Sequence, residues 1–361
     1  MNPELDETQK LMQETVQAYL EKEVPLDRVR NLESQGEMDR ALWSDVCKQG
    51  WLALPFDEGL GGGGGSLVDA GLLVEAFARR AALVPLLETL VAGLALQRSA
   101  PWVMAASVLD DVFGGRCIPV PAVCEPHRRF DETHLEASDG RLTGTKAFVD
   151  YGALATHHLV SACDAKGPAL YWVEADASCV EAEPLQSIGR SPLVRVHYDG
   201  ARGERVADES GVQALILTGQ ALCAVQCVGS MQESLDQTVA YAQVREQFGK
   251  PIGSFQAVRH HAANMAMRVA STRWLAYEAL SALSAGRADA ATIALAKASA
   301  SRAAPEVTLM AHQIFGGNGV IEENDLYFFT LRGKESSLAW GSAEECLAAA
   351  AASVDQPIEW L

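Results

Sequence analysis

The sequence has no C-x-x-C pair and no Cys/His cluster, although it holds 8 cysteines in 361 residues. Without those spacings no metal site is expected, and the thiols read as small buried hydrophobes in a reducing compartment. Cys223 and Cys227, four apart, would share one helix face. Positive charge is also scarce: 29 Lys and Arg stand against 47 Asp and Glu, a formal net charge of -18. Such a chain is unsuited to nucleic acid or an anionic membrane, and an anionic ligand would need a local basic patch. Long apolar runs are lacking, since Gly, Pro and polar residues interrupt every window of about eighteen residues, so no membrane span is expected. The opening MNPELDETQKLMQ carries acids and no apolar core. It reads as neither a signal nor a transit peptide, which points to the cytoplasm.

What is present is ordinary for a globular enzyme: 48% hydrophobic and 21% charged residues, in a chain long enough for two or three subdomains. The pattern changes twice along it. Residues 1–105 read as helical, with stripes at Leu11, Met12, Val16, Tyr19 and Leu20, ending before Pro25, and at Leu42, Val46 and Trp51, ending at Pro55. The five glycines Gly61 to Gly65 form a loop before a helix over 66–80 with Ser66 as N-cap, and no Lys-Ser/Thr pair follows to make a P-loop. Over 106–208, short apolar runs alternate with turn residues. Val194, Val196 and Tyr198 have strand periodicity, and Asp139-Gly140 is a hairpin signal. Helical patterning returns from Val212 to about Ser353, where the alanine-rich stretch 285–304 reads as a packed bundle helix. The fold class is mostly α with a middle β domain.

The most distinctive stretch is YAQVREQFGKPIGSFQAVRHHAANM, Tyr241 to Met265. Val225, Val228, Met231, Leu235 and Val239 precede it at helical spacing and should bury one stripe. Gly249, Pro251 and Gly253 then break the helix, and the pattern resumes near Phe255 and carries through Trp274. Arg245, Gln247 and Phe248 sit at the corner. An arginine fork beside an exposed aromatic suits a phosphate next to a planar heterocycle. A helix hairpin with an ordinary surface arginine fits the same residues.

The order of residues from Arg245 to Gln256, Arg-x-Gln-Phe-Gly-x-Pro-Ile-x-x-Phe-Gln, resembles the signature of the acyl-CoA dehydrogenase family. Gln313-x-x-Gly316-Gly317-x-Gly319 is similar to that family's other flavin-binding segment, and LWSDVCKQGWLALPFDEGLGG (Leu42 to Gly62) to its opening helices and glycine-rich loop. The resemblance implies an N-terminal helical domain (1–105), a β-barrel-like middle domain (106–208) and a C-terminal four-helix bundle (209–361), with FAD as cofactor. By resemblance, Arg245, Gln247, Phe248 and Gln256 meet the diphosphate and adenine end of the flavin, and Gln313, Gly316, Gly317 and Gly319 approach the diphosphate. Glycines suit that role, allowing close backbone approach and offering amide donors to an anion.

The ring end departs from the family pattern. Where members carry Thr-Glu-Pro followed by Gly-Ser-Asp, this chain reads Val123-Cys124-Glu125-Pro126-His127-Arg128-Arg129, and in GTKAFVDYG (Gly144 to Gly152) Val149-Asp150 replaces the usual flavin contacts. The family reaction needs a carboxylate against the substrate α carbon, its pKa raised by burial. The two family positions for it hold Trp340, in Ala339-Trp340-Gly341-Ser342, and Gly219, beside Gln220. No catalytic residue is identifiable there. Glu335 is the fallback, with Glu322, Glu323, Asp150, His127 and His260 behind it.

The run Gly316 to Tyr327 resembles the version found in bacterial enzymes that degrade steroid and other bulky acyl chains, commonly α2β2 heterotetramers of unlike subunits. The resemblance therefore implies a subunit of an FAD-dependent acyl-CoA dehydrogenase. A second family member would supply the catalytic glutamate, and an electron-transferring flavoprotein would accept the electrons. A self-sufficient homo-oligomer with a non-standard base and a catalytically silent scaffold remain open alternatives.

Overall fold

The computed structural model describes residues 5–287 and 289–352. Helices α1 (Glu7–Glu23), α2 (Leu26–Gln35), α3 (Arg40–Lys48), α4 (Leu67–Arg79), α5 (Leu86–Ser99) and α6 (Trp102–Phe113) come first. Strands β1 (Pro119–Ala122), β2 (Glu136–Ser138), β3 (Arg141–Asp150), β4 (His157–Asp164), β5 (Gly167–Glu174), β6 (Val180–Pro184) and β7 (Leu193–Ala207) follow. The rest is helical apart from a two-stranded hairpin: α7 (Glu209–Val244), β8 (Glu246–Gln247), β9 (Lys250–Pro251), α8 (Gln256–Ser284), α9 (Ala290–Phe315), α10 (Leu326–Leu338) and α11 (Ala343–Ala352). Two compact units result, one from Arg28–Ala70 with Leu83–Gly219, the other from Met1–Asp27, Gly71–Ala82 and Gln220–Leu361. The expected helical stretch beyond 352 lies outside the described residues.

In the first unit, β4, β5, β7, β3 and β2 pair in a closed ring, since β4 bonds both β5 and β2. Parallel β1 adds to β4 and antiparallel β6 to β7. Closure leaves few strand edges and makes the middle segment barrel-like. Asp139 (φ 49°) and Gly140 (φ 73°) turn the β2–β3 hairpin as their sequence predicts. Helix α3 stops at Lys48, so Trp51 does not continue its stripe; Gly50 (φ 72°) takes the chain into turns that still bury Trp51. Helical structure also runs on through Phe113, past residue 105.

The five-glycine loop packs on its own chain. Gly63, Gly64 and Gly65 amides donate to the carbonyls of Ala53, Phe56 and Leu54, at 2.8–2.9 Å. A Cβ on Gly62 would lie 2.3 Å from the Phe56 carbonyl oxygen. These glycines serve close backbone packing, and their amides are spent there. Ser66 accepts from the Val68 amide at 3.2 Å, as expected of the α4 N-terminus.

In the second unit, α9 packs against α8, α10 and α11 along its alanine-rich length. Small side chains let these helices approach closely, so the stretch is a bundle helix and not a linker. Helix α7 is long and apolar enough to cross a membrane by length and composition, contrary to the expectation that no such window exists. However, 83% of that window is buried inside the protein, which assigns its apolarity to the core. Its buried stripe begins as expected with Val225, Val228 and Met231 but then passes to Ser234, Thr238 and Ala242, leaving Val239 38% exposed. The hydroxyls make this possible by donating back to carbonyls one turn earlier, Ser234 to Ser230 and Thr238 to Ser234. In α1, likewise, Val16 and Leu20 are buried while Leu11 is exposed. Buried Glu75 on α4 accepts from Arg273 and Tyr277 on α8 at 2.8 Å each, tying the two helices.

Candidate functional site

Helix α7 ends one residue before Arg245, and the Arg245 carbonyl accepts from Ile252 at 2.8 Å, closing a compact corner. Within it β8 and β9 pair Glu246 with Pro251 and Gln247 with Lys250. The turn between them places Phe248 (φ 56°) and Gly249 (φ 78°) in the left-handed region, an uncommon conformation for a bulky residue. The effect is to lift the Phe248 ring, 92% exposed, clear of the surface. Behind it Phe255 stands edge-on at 6.0 Å, with Lys250 Nζ 4.5 Å over its ring. Arg259 Nε donates to Gly253 O at 2.8 Å and fixes the start of α8, where Gln256 is exposed.

Arg245 is exposed, and among the described residues its guanidinium has no hydrogen-bond or ion-pair partner. From Arg245 to Arg273 the chain carries five basic side chains and a single acid, Glu246. This is the local basic stretch that an anion requires in so acidic a chain.

The glycine segment follows α9 directly. Gly316 adopts φ 60°, ψ -139°, a region open essentially to glycine alone. A Cβ on Gly316 or Gly317 would meet nothing within 4 Å, so both face open space, whereas one on Gly319 would lie 2.7 Å from Phe315 Cβ and 3.2 Å from His312 Nδ1. Gly319 is thus a packing glycine, and Gly316, Gly317 and exposed Gln313 form the reachable surface. Gly316→Ala is expected to cost about 1–3 kcal/mol of backbone strain, visible as a lowered Tm. A variant with an unchanged Tm would disprove the strain. Tyr241, one turn before Arg245, stacks on Phe315 with centroids 4.3 Å apart and planes at 9°. The stack brings the ends of α7 and α9, and hence the two motif segments, together.

Glu125, the survivor of the ring-end motif, is committed elsewhere. Its Oε1 accepts from Lys146 Nζ at 2.7 Å and from the amides of His134 at 2.8 Å and Leu135 at 2.9 Å. Lys146, fully buried on β3, also donates to Val123 O at 2.9 Å and Ser161 Oγ at 3.0 Å. Burial pulls the lysine pKa down to about 8 against the pull of the carboxylate. Burial pushes Glu125 up, yet the ammonium and the two amides outweigh it and hold the carboxyl below its ordinary value. The sequence signal for this clasp is Lys146 in GTKAFVDYG, a charge directly before the apolar run Ala147, Phe148 and Val149. Asp150 ends β3, where its carboxylate accepts from the Tyr151 amide at 3.2 Å.

No carboxylate stands at either position expected for the base. Trp340 sits at φ 57° in the turn after α10, its carbonyl accepting from Gln220 Nε2 at 3.2 Å. The next carbonyl, Gly341, accepts from buried Lys297 Nζ at 2.9 Å. Gly219 is buried inside α7. Glu335 is half-buried near the end of α10, while Glu322, Glu323, His127 and His260 are exposed. Burial also raises the carboxyl of Glu233 on α7, but Gln237 at 3.3 Å and Arg79 at 3.6 Å hold it in a structural network.

Family models for the acyl-CoA dehydrogenase N-terminal and C-terminal domains match residues 6–100 and 212–354. The chain belongs to the acyl-CoA dehydrogenase family. It is 32% identical to the acyl-CoA dehydrogenase IpdE2 of Mycolicibacterium smegmatis over 95% of this chain and 97% of that one. Its structure superposes on a chain of the ChsE4-ChsE5 complex from Mycobacterium tuberculosis with a TM-score of 0.94 at 26% identity, covering 99% of this chain and 100% of that one. The Tcur3481-Tcur3483 steroid acyl-CoA dehydrogenase gives a TM-score of 0.92 at 27% identity, covering 96% and 97%. Membership makes this an oxidoreductase acting on acyl-CoA, in a family that depends on FAD.

Proposed function

We propose that this acyl-CoA dehydrogenase chain is the subunit of a cytoplasmic heteromer, an α2β2 assembly, that grips the flavin's diphosphate and adenine while a second family member supplies the catalytic glutamate. The observation that carries the reading is a pairing of presence and absence. An unpartnered Arg245 fork and an upraised Phe248 ring stand ready for a ligand, while the Trp340–Gly341 turn holds no carboxylate. The Arg245 and Gly316 segments fit parts of FAD, and the Glu125 motif does not. Arg245 would pair with the diphosphate in a bidentate fork, Phe248 would cover the adenine, and the open backbone at Gly316 and Gly317 would offer amides, with Gln247, Gln256 and Gln313 as polar flanks. Gly319 supports that surface from beneath. At the ring end, Glu125 is spent on Lys146, and Asp150 would set a negative charge where a flavin contact is expected.

When bound, FAD would supply the acceptor for the β-carbon hydride in α,β-desaturation of an acyl-CoA, with the α proton going to the partner's glutamate and the electrons to an electron-transferring flavoprotein. This chain's residues hold and orient the cofactor. The names of the ChsE4-ChsE5 complex and of the steroid enzyme support two unlike subunits and a bulky or steroid-derived acyl group.

The test is co-purification with a second acyl-CoA dehydrogenase chain that keeps the glutamate, with flavin stoichiometry read from the visible spectrum. One FAD per pair of unlike chains is expected, with desaturation abolished by changing the partner's glutamate. A full flavin complement and turnover in this chain alone would overturn the proposal and return attention to Glu335.

A further inference from the structure

His312, in the last turn of α9, lies beneath the glycine segment and has no part in the proposed contacts with FAD. Its Nε2 is hydrogen-bonded to Thr330 Oγ1 on α10 at 2.8 Å, and Thr330 also donates to Leu326 O at 3.1 Å. The other ring nitrogen, Nδ1, is turned toward the glycine segment. That nitrogen is buried, has no hydrogen-bond partner among the described residues and lies against Gly319. Leaving a buried nitrogen unpaired costs about 1–3 kcal/mol, which an apolar side chain filling the same place would avoid. Burial lowers the imidazole pKa, and the nearby Gly319 backbone, though outside hydrogen-bond geometry, opposes this by favouring the charged ring.

We propose that His312 is a positioning residue for the cofactor diphosphate. Pinned by Thr330, its ring forms the seat on which Gly319 rests, and so sets the height at which Gly316 and Gly317 present their backbone. Phe315, clamped on Tyr241, fixes the other side of the same turn. Nδ1 is the adjustable contact, able to engage the Gly319 backbone as the turn settles against an anion. The inference rests on the reading that this chain grips the diphosphate, and it extends that grip to a residue that never touches the ligand.

The experiment titrates FAD into the deflavinated full-length protein in its purified assembly, following the change in flavin fluorescence. His312→Leu is expected to weaken FAD binding about tenfold, the equivalent of about 1.4 kcal/mol, with the Tm held or raised because the unpaired nitrogen is gone. His312→Asn, which restores a polar atom near the Nδ1 position, should recover most of the affinity. Thr330→Val, which frees the ring without emptying the site, should lose part of it and carries the test if His312→Leu does not fold. Arg245→Ala serves as the control for the underlying reading. Wild-type FAD affinity in both the His312→Leu and Thr330→Val variants, alongside a weakened Arg245→Ala, would overturn the role of His312 alone. Unchanged affinity in all three variants would overturn the diphosphate reading with it.

Discussion

Glu125→Ala is expected to destabilise the unit containing the β-barrel by about 3–5 kcal/mol, because it strands the buried Lys146 ammonium without its counter-charge. The loss exceeds that of a single hydrogen bond, since one carboxylate oxygen satisfies the lysine and two backbone amides together. Chemical denaturation should show it directly, and a Glu125→Gln, Lys146→Met double variant should recover much of the stability. The pair also sets a pH signature. With the Lys146 pKa near 8 in the folded chain and 10.5 otherwise, the unfolded chain holds the extra proton across that window. The lysine's contribution to stability therefore rises with pH between those values. Glu125 is displaced downward, so its contribution is present above its ordinary pKa of 4.5 and is lost as pH falls below it. Relative to the double variant, the wild type should show both slopes. A single-variant loss below about 1 kcal/mol would mean that water or local rearrangement already serves the lysine.

Arg245→Ala is expected to weaken FAD binding by one to two orders of magnitude, the equivalent of a lost charge-assisted interaction of about 1.5–3 kcal/mol. Because the guanidinium has no partner within the described fold, its removal should leave the Tm unchanged. That separation of affinity from stability distinguishes a ligand-binding arginine from a structural one. Arg245→Lys should recover only part of the affinity, since an ammonium keeps the charge and loses the planar fork. Equilibrium FAD titration decides the matter, and a wild-type dissociation constant in Arg245→Ala would refute the assigned role.

The outline of the fold was legible in the sequence because it depends on periodicity. The Asp139-Gly140 hairpin, the alternating β7 residues and the alanine-rich α9 all follow from local patterns. What escaped were interactions between residues far apart in the chain. No spacing rule joins Glu125 to Lys146, Tyr241 to Phe315 or Lys297 to Gly341. The α7 stripe failed for a different reason. Ser234 and Thr238 satisfy their hydroxyls within the helix, which lets polar residues occupy the buried face that a simple apolar count assigns to Leu235 and Val239. Of the candidate site, the residue types were visible, but the division of labour among the glycines was not. Only the open space around Gly316 and the crowding at Gly319 separate an exposed glycine from a packing one.

The turn at Trp340 and Gly341 is fastened by two buried side chains from other helices, Gln220 on α7 and Lys297 on α9. In evolutionary terms such fastening preserves the turn itself. A lineage that exchanged tryptophan for glutamate at 340 would set a new carboxylate on a left-handed backbone whose carbonyls are already claimed, one of them by a buried cation. Because both bonds end on main-chain carbonyls, they hold whichever side chain stands at 340, so the shape of the turn would outlast such an exchange.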